Sequence, residues 1–204
     1  MTRYIGRENV RKRLEPLADG SGRTVYRDGV ARIETPSETI TVRPPFGLGH
    51  EGDYDRVELG PLFDALACDH VTAAVLVRLG GYAVGVFKGE RLVASKVGSR
   101  FVKGRHKKGG SSSSRFRRRR EEQERELIDE TARTVAAVLE PHLAQIEHVA
   151  LGGDRNAVKR VVERAPWLAE KALPRFFAVA DPRQRELERL PYQLYAAEVT
   201  EEPS

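Results

Sequence analysis

Residues 107–120 read KKGGSSSSRFRRRR, and no other stretch of this 204-residue chain concentrates groups with so plain a chemical bias. Lys103, Arg105, His106, Lys107 and Lys108 stand on one side of a glycine-serine tip, and Arg115, Arg117, Arg118, Arg119 and Arg120 on the other. Gly109 and Gly110 have no preferred backbone basin, and the serines after them favour turns and caps, so the tip is slim and almost free of side chains. Such a tip between basic shoulders suits a narrow cavity lined by phosphates, where a bulky tip would clash and an acidic one would be repelled. Residues 100–120 hold ten of the 35 Lys and Arg and none of the 30 Asp and Glu, which leaves the remainder at −5. A mildly acidic body with one concentrated basic loop is the electrostatic footprint of a polyanion binder.

A charged, solvated helix face is the competing reading. Arg117 can meet Glu121, Arg118 can meet Glu122 and Arg120 can meet Glu124, but such pairs contribute only about 0.2 to 0.5 kcal/mol each, and arginine before glutamate is the weaker order. Five arginines at the start of a helix also oppose its dipole, which favours anions there. An external polyanion such as RNA accounts for that cost better than solvent does.

The elements that must position this loop are legible from pattern. A near-continuous apolar run at residues 71–79 reads as a buried strand; 82–88 and 91–97 follow across Gly80-Gly81 and Gly89-Glu90, so three strands form an antiparallel meander whose end releases the loop. Leu127, Ile128, Thr131, Val135, Val138 and Leu139 recur at steps of three and four and predict a helix over about 115–139, stopped by Pro141. Strands are expected at 148–152 and 175–179, with Asp154 capping a helix to about Arg164 and Asp181 capping a last helix from Pro182. The order implies an α/β fold, a mixed sheet with helices packed on it. Ahead of it, a short helix at 8–17 and β-prone runs at 24–27, 30–34 and 39–43 form a small β module, with Asp28-Gly29 marking a hairpin and 44–55 a loop. The expected division is 1–65 for that module and 66–204 for the α/β domain, with the loop at 103–115.

The run Gly109-Gly110-Ser111-Ser112-Ser113-Ser114-Arg115-Phe116, preceded by basic residues and opening an Arg-rich helix, resembles the catalytic loop in the central domain of class I translation release factors. The meander before it and the Leu151-Gly152-Gly153 strand end after it agree, and the resemblance spans about residues 70–198. Within that superfamily the chain is most similar to the Vms-like release factors of an actinobacterial type, which free nascent peptide from stalled large ribosomal subunits. The resemblance implies a ribonuclease H-like fold and a metal-free peptidyl-tRNA hydrolase, in which water attacks the ester and backbone N–H groups of Gly110, Ser111 and Ser112 hold the tetrahedral oxyanion, with Gly109 shaping the tip. Its implied partners are the large ribosomal subunit, peptidyl-tRNA and ribosomal RNA. The family's glutamine falls on Ser111, or on Ser112 in the Vms-like register, so only the backbone part of its role carries over. A non-catalytic RNA-binding factor on the same scaffold is the alternative. Only about 65 residues precede the resembling segment and about six follow it, so codon-independent action is expected.

Other chemistries find less support. The three meander strands contain no carboxylate, against the two-metal nucleases of the ribonuclease H fold. His106 lies near the serines, but there is no Gly-x-Ser-x-Gly elbow and no orienting carboxylate within the loop. His50, His70, His142 and His148 show no metal-ligand spacing, and Cys68 is the only cysteine, so no metal or cofactor is expected. Trp167, Phe176 and Phe177 are assigned to the core, and Gly152-Gly153-Asp154 to a strand-helix turn rather than a phosphate site. The charged N-terminus has no signal-peptide core, and no window reaches about eighteen apolar residues, so a cytoplasmic protein without membrane contact is expected. RNA binding by this loop should be steeply salt-dependent: filter binding should weaken sharply between about 50 and 200 mM salt if six to ten phosphates are contacted. An affinity flat across that range would remove the polyanion reading.

Overall fold

The structure is a computed structural model that describes residues 1–99 and 112–203, with side chains from Arg115 onward except that of Phe116. In chain order the elements are β1 (Thr2–Gly6), α1 (Arg7–Leu14), β2 (Arg23–Arg27), β3 (Val30–Glu34), β4 (Glu38–Arg43), β5 (Gly52–Tyr54) and α2 (Gly60–Ala67). Then follow β6 (Val71–Arg78), β7 (Gly81–Lys88), β8 (Arg91–Ser99), α3 (Ser112–Leu139), β9 (His148–Gly153), α4 (Arg155–Val162), α5 (Trp167–Glu170), β10 (Ala172–Phe177), α6 (Gln184–Leu194) and β11 (Ala196–Pro203). They form two units, residues 1–69 with 191–204, and residues 70–190.

The first unit is an antiparallel sheet in the order β1-β11-β4-β3-β2-β5. Asp28 and Gly29 both take positive φ, 53° and 72°, and join β2 to β3 as the two-residue turn that an Asp-Gly step favours. Val10 and Leu14 of α1 and Leu62 and Leu66 of α2 close the core over Ile33, Ile40 and Val42. Tyr26 is buried among them and donates its hydroxyl to the Glu58 carbonyl at 2.6 Å. Three features of this unit depart from the expectations. The stretch expected as a loop at 44–55 contains β5, α2 stands where no helix was assigned, and β11, expected within the second domain, lies between β1 and β4. Alternating side chains of β11 bury Ala197 and Val199 against the first core, a pattern that only the presence of that sheet gives meaning.

The second unit is the expected mixed sheet, in the order β10-β9-β6-β7-β8. The meander β6-β7-β8 is antiparallel, whereas β9 and β10 add in parallel beside β6. β6 and β7 are central and buried on both faces, which is why they read as continuous apolar runs; β8 is an edge and alternates poorly. On one face α3 and α4 cover Ala73, Val75, Val77, Val84 and Val86 through Leu127, Ile128, Val135, Val158 and Val161. On the other, a Cβ at Gly85 would sit 3.4 Å from Leu187 of α6. The Gly152-Gly153 corner is steric. A Cβ at Gly152 would come 2.6 Å from the Phe177 carbonyl, and one at Gly153, whose φ is 102°, still closer to that of Val77. Asp154 then caps α4, accepting the Ala157 N–H at 2.9 Å as expected.

Burial pushes the Tyr26 phenol up to about 12. Because the folded value exceeds the unfolded value near 10, that part of the stability is present below about pH 10 and is lost as pH rises through about 12. Urea titrations of the wild-type chain should therefore show stability falling over this window, and Tyr26→Phe should flatten that fall while costing about 1 kcal/mol at neutral pH for the lost hydrogen bond. An unchanged alkaline slope in the variant would exclude Tyr26 as its source.

Candidate functional site

Two feet hold the basic segment. β8 delivers the chain to Ser99 and α3 takes it up again at Ser112, and both are tied to the same end of β7. Gly81 pairs with Ser99 and Tyr82 with Gly98. The Tyr82 ring, 1% exposed, lies across Gly98 so closely that a Cβ there would fall on the ring itself. Its hydroxyl donates to Glu130 Oε1 at 3.0 Å and accepts from the Thr134 hydroxyl at 3.1 Å, both on α3. Burial holds this phenol above its ordinary range; the Thr134 bond opposes the shift and the Glu130 carboxylate adds to it. One side chain thus fixes the end of β8 and the azimuth of α3 together.

Helix α3 starts three residues before the expected position, so Ser112 to Ser114, read from sequence as loop, have helical backbone. The first buried side chain of α3 among those described is Leu127. The fifteen helical residues before it span about 22 Å at 1.5 Å per residue, and none of their described side chains is buried. This arm carries Arg115, Arg117, Arg118 and Arg119, all exposed, and Arg120, half-buried. Of the three expected intrahelical pairs only Arg117–Glu121 forms among the described residues, and at 3.8 Å it is loose. Glu124 instead accepts Arg160 of α4 at 2.6 Å, and Asp129 accepts Arg164 at 2.7 Å. Of the expected acidic partners Glu124 is thus drawn to α4, and among the described residues Arg115, Arg118, Arg119 and Arg120 form no ion pair. The first turn of α3 contains no acidic residue.

Gly109, Gly110 and Ser111 of the candidate catalytic set, and Lys103, Arg105, His106, Lys107 and Lys108 of the basic shoulder, lie outside the described residues. Ser112 opens α3. Trp167 and Phe176 pack against the second core and Phe177 is buried, as expected for core residues.

Sequence spacing pointed to no metal ligands, yet the fold brings together three side chains of a kind that can bind a metal. One ligand atom from each of His70, Glu147 and His148 lies within 4.8 Å of the others. The pairing of β6 with β9 is what brings them together, 77 residues apart in the chain. Burial pushes the Glu147 carboxyl up, but hydrogen bonds from the Val71 N–H and from His70 outweigh it and leave the group below its usual range. Burial, and then the charge of His70, hold the His148 imidazole down.

Gly98→Ala should lower stability by about 1 to 3 kcal/mol in urea unfolding, because the ring it meets is buried and bonded and cannot swing away. Tyr82→Phe, which keeps the ring but strips both hydrogen bonds, should cost about 1 to 3 kcal/mol by leaving buried partners unpaired. The two effects should not be additive, since the sites touch; a neutral Gly98→Ala would refute the bolt.

The chain matches the Actinobacteria/chloroflexi VLRF1 release factor family, acVLRF1, over residues 70–200, the whole second unit and most of β11. No curated protein matches it. Among solved structures it is similar to an archaeal translation termination factor, aRF1, at 15% identity and TM-score 0.47, with 94% of this chain and 73% of that one covered. It is also similar to a structure described as an archaeal protein, at 16% identity and TM-score 0.40, covering 78% of this chain and half of that one. With a family match over well above half its length, the chain belongs to the Actinobacteria/chloroflexi VLRF1 release factor family.

Proposed function

We propose that this protein is a codon-independent peptidyl-tRNA hydrolase of stalled large ribosomal subunits. The observation that carries the reading is the Arg-rich arm of α3, in which no described side chain before Leu127 is buried and, among the described residues, four of its five arginines form no ion pair. A helix that ends in uncompensated cations where its own dipole is positive is built for an anionic environment. The surface of rRNA or tRNA supplies one.

The chemical step follows from the same anatomy. Ester cleavage by water passes through a tetrahedral oxyanion, which needs preorganised donors rather than a charged nucleophile. The N–H groups of the first helical turn lack intrahelical acceptors, so those of Ser112 and the residues beside it are available, with Gly110 and Ser111 extending the set. Gly109 and Gly110 keep the tip narrow enough to reach the ester. A serine in place of the family's glutamine preserves each of these donors, and the reaction needs no metal at the tip. Water, held between the tip and the tRNA ribose, is the nucleophile, and the products are free peptide and deacylated tRNA. Such an activity belongs in the cytoplasm, with ribosomes.

Single-turnover release from stalled large subunits, at saturating protein, separates backbone from side-chain chemistry. Gly109→Ala and Gly110→Ala should be severe, and Ser111→Ala and Ser112→Ala mild. Replacing Arg117 to Arg120 together should weaken subunit binding and flatten its salt dependence by up to roughly four counterions, with the step in bound complexes largely intact. Binding without turnover in the wild-type chain would leave a non-catalytic RNA-binding factor instead, and an indispensable serine hydroxyl would replace the oxyanion mechanism with a nucleophilic one.

A further inference from the structure

The three-residue group at the start of β6 and β9 lies outside everything the proposed hydrolysis uses. β6 spans eight residues, about 26 Å at 3.3 Å each, and the basic segment leaves from the level of its far end, where Arg78 pairs with Gly81 and Gly81 with Ser99. His70 precedes β6, and Glu147 and His148 stand where β9 begins, with His148 in register with Thr72. The backbone around them is pinned on three sides. Val71 O accepts the Glu147 N–H at 2.9 Å, His70 O accepts the Gly89 N–H at 3.0 Å, and Lys171 O accepts the Val149 N–H at 2.7 Å.

The side chains are oriented just as firmly. Glu147 accepts the Val71 N–H on Oε1 at 2.8 Å and faces His70 Nδ1 with Oε2 at 2.9 Å. The two imidazoles meet edge to face with centroids 4.9 Å apart. Lys171, the ammonium whose field reaches His148, is engaged by the Ile146 carbonyl at 2.5 Å. His70 keeps 17% of its side-chain surface and Glu147 49%, so an ion can reach the group from solvent.

We infer that His70, Glu147 and His148 form a binding site for a divalent cation of the zinc class, open at a fourth position to water or to a donor from elsewhere. Two imidazoles and a carboxylate are a donor set that zinc accepts, whereas magnesium and calcium prefer oxygen throughout. Bonds of about 2.0 to 2.1 Å in a tetrahedral site put ligand atoms about 3.3 Å apart. The pair His70 Nδ1 and Glu147 Oε2 is already near that spacing, and the ion takes the place of the proton between them. The His148 ligand atom lies within 4.8 Å of both, so binding draws it inward to that spacing. Fixed in this way, the ion staples the two parallel strands at the end away from the basic arm. The competing reading is a plain His–Glu hydrogen bond joining β6 to β9.

The full-length chain, stripped with a chelator, is titrated with Zn2+ by calorimetry and with Co2+ by absorption. One equivalent of Zn2+ should bind, and His70→Gln and His148→Gln should each weaken it by about tenfold or more. Glu147→Gln, which retains an acceptor for the Val71 N–H, should weaken it while leaving circular dichroism unchanged; His142→Gln, outside the group, should bind as the wild-type chain does. A stripped wild-type chain that takes up no Zn2+, or folded His70→Gln and His148→Gln variants that bind as tightly as wild type, overturns the site. Should the histidine variants fail to fold, the wild-type Co2+ spectrum decides: an intense tetrahedral band supports the site, and the weak octahedral band of free ion removes it.

Discussion

The buried hydroxyl of Tyr82 is the contact on which the geometry of the second unit turns. Its ring occupies the space a side chain at Gly98 would need, and its oxygen is shared between Glu130 and Thr134 of α3. The last paired residues of β8 and the middle of α3 are therefore located by one atom group. A hydroxyl satisfied as both donor and acceptor in a buried place is costly to displace, which makes the attachment stiff.

Stiffness at the base gives the arginine arm its purpose. Leu127 and Ile128 begin the buried stripe of α3, and every described residue before them lies at the surface or half within it. Glu124 stands at i+4 from Arg120, but it is spent on Arg160 of α4, and Asp129 accepts Arg164 just after that helix. The same carboxylates that brace the helix thus leave its N-terminal half with an excess of positive charge. That excess sits on a helix anchored to β7 through Tyr82.

Parallel pairing of β9 with β6 acts at both ends of the sheet. At one end it crowds Gly152 and Gly153 against Phe177 and Val77, so that only glycine fits and the Leu-Gly-Gly motif is a packing requirement rather than a phosphate cradle. At the other it brings Glu147 and His148 beside His70. Neither outcome involves the arginines of α3.

Much of this was written in the chain itself. Continuous apolar runs at β6 and β7 announced strands buried on both faces, the spacing of Leu127, Ile128, Val135 and Leu139 announced the inner face of α3, and Asp28-Gly29 and Asp154 announced a turn and a cap, because each of these is a local preference acting over a few residues. The basic segment and its likeness to release factors were equally plain, since charge and glycine content need no partner to be read. What tertiary structure alone decided was pairing at a distance. β11 has an alternating pattern that gains meaning only between β1 and β4, and short β5 and α2 were obscured by turn-like residues around them. Glu124 chose Arg160 over Arg120 because α4 lies alongside, and His70 met His148 through a strand register that no sequence spacing encodes. Local propensity falls within reach of a sequence, whereas the identity of a neighbour 36 or 77 residues away is set by the whole packed sheet.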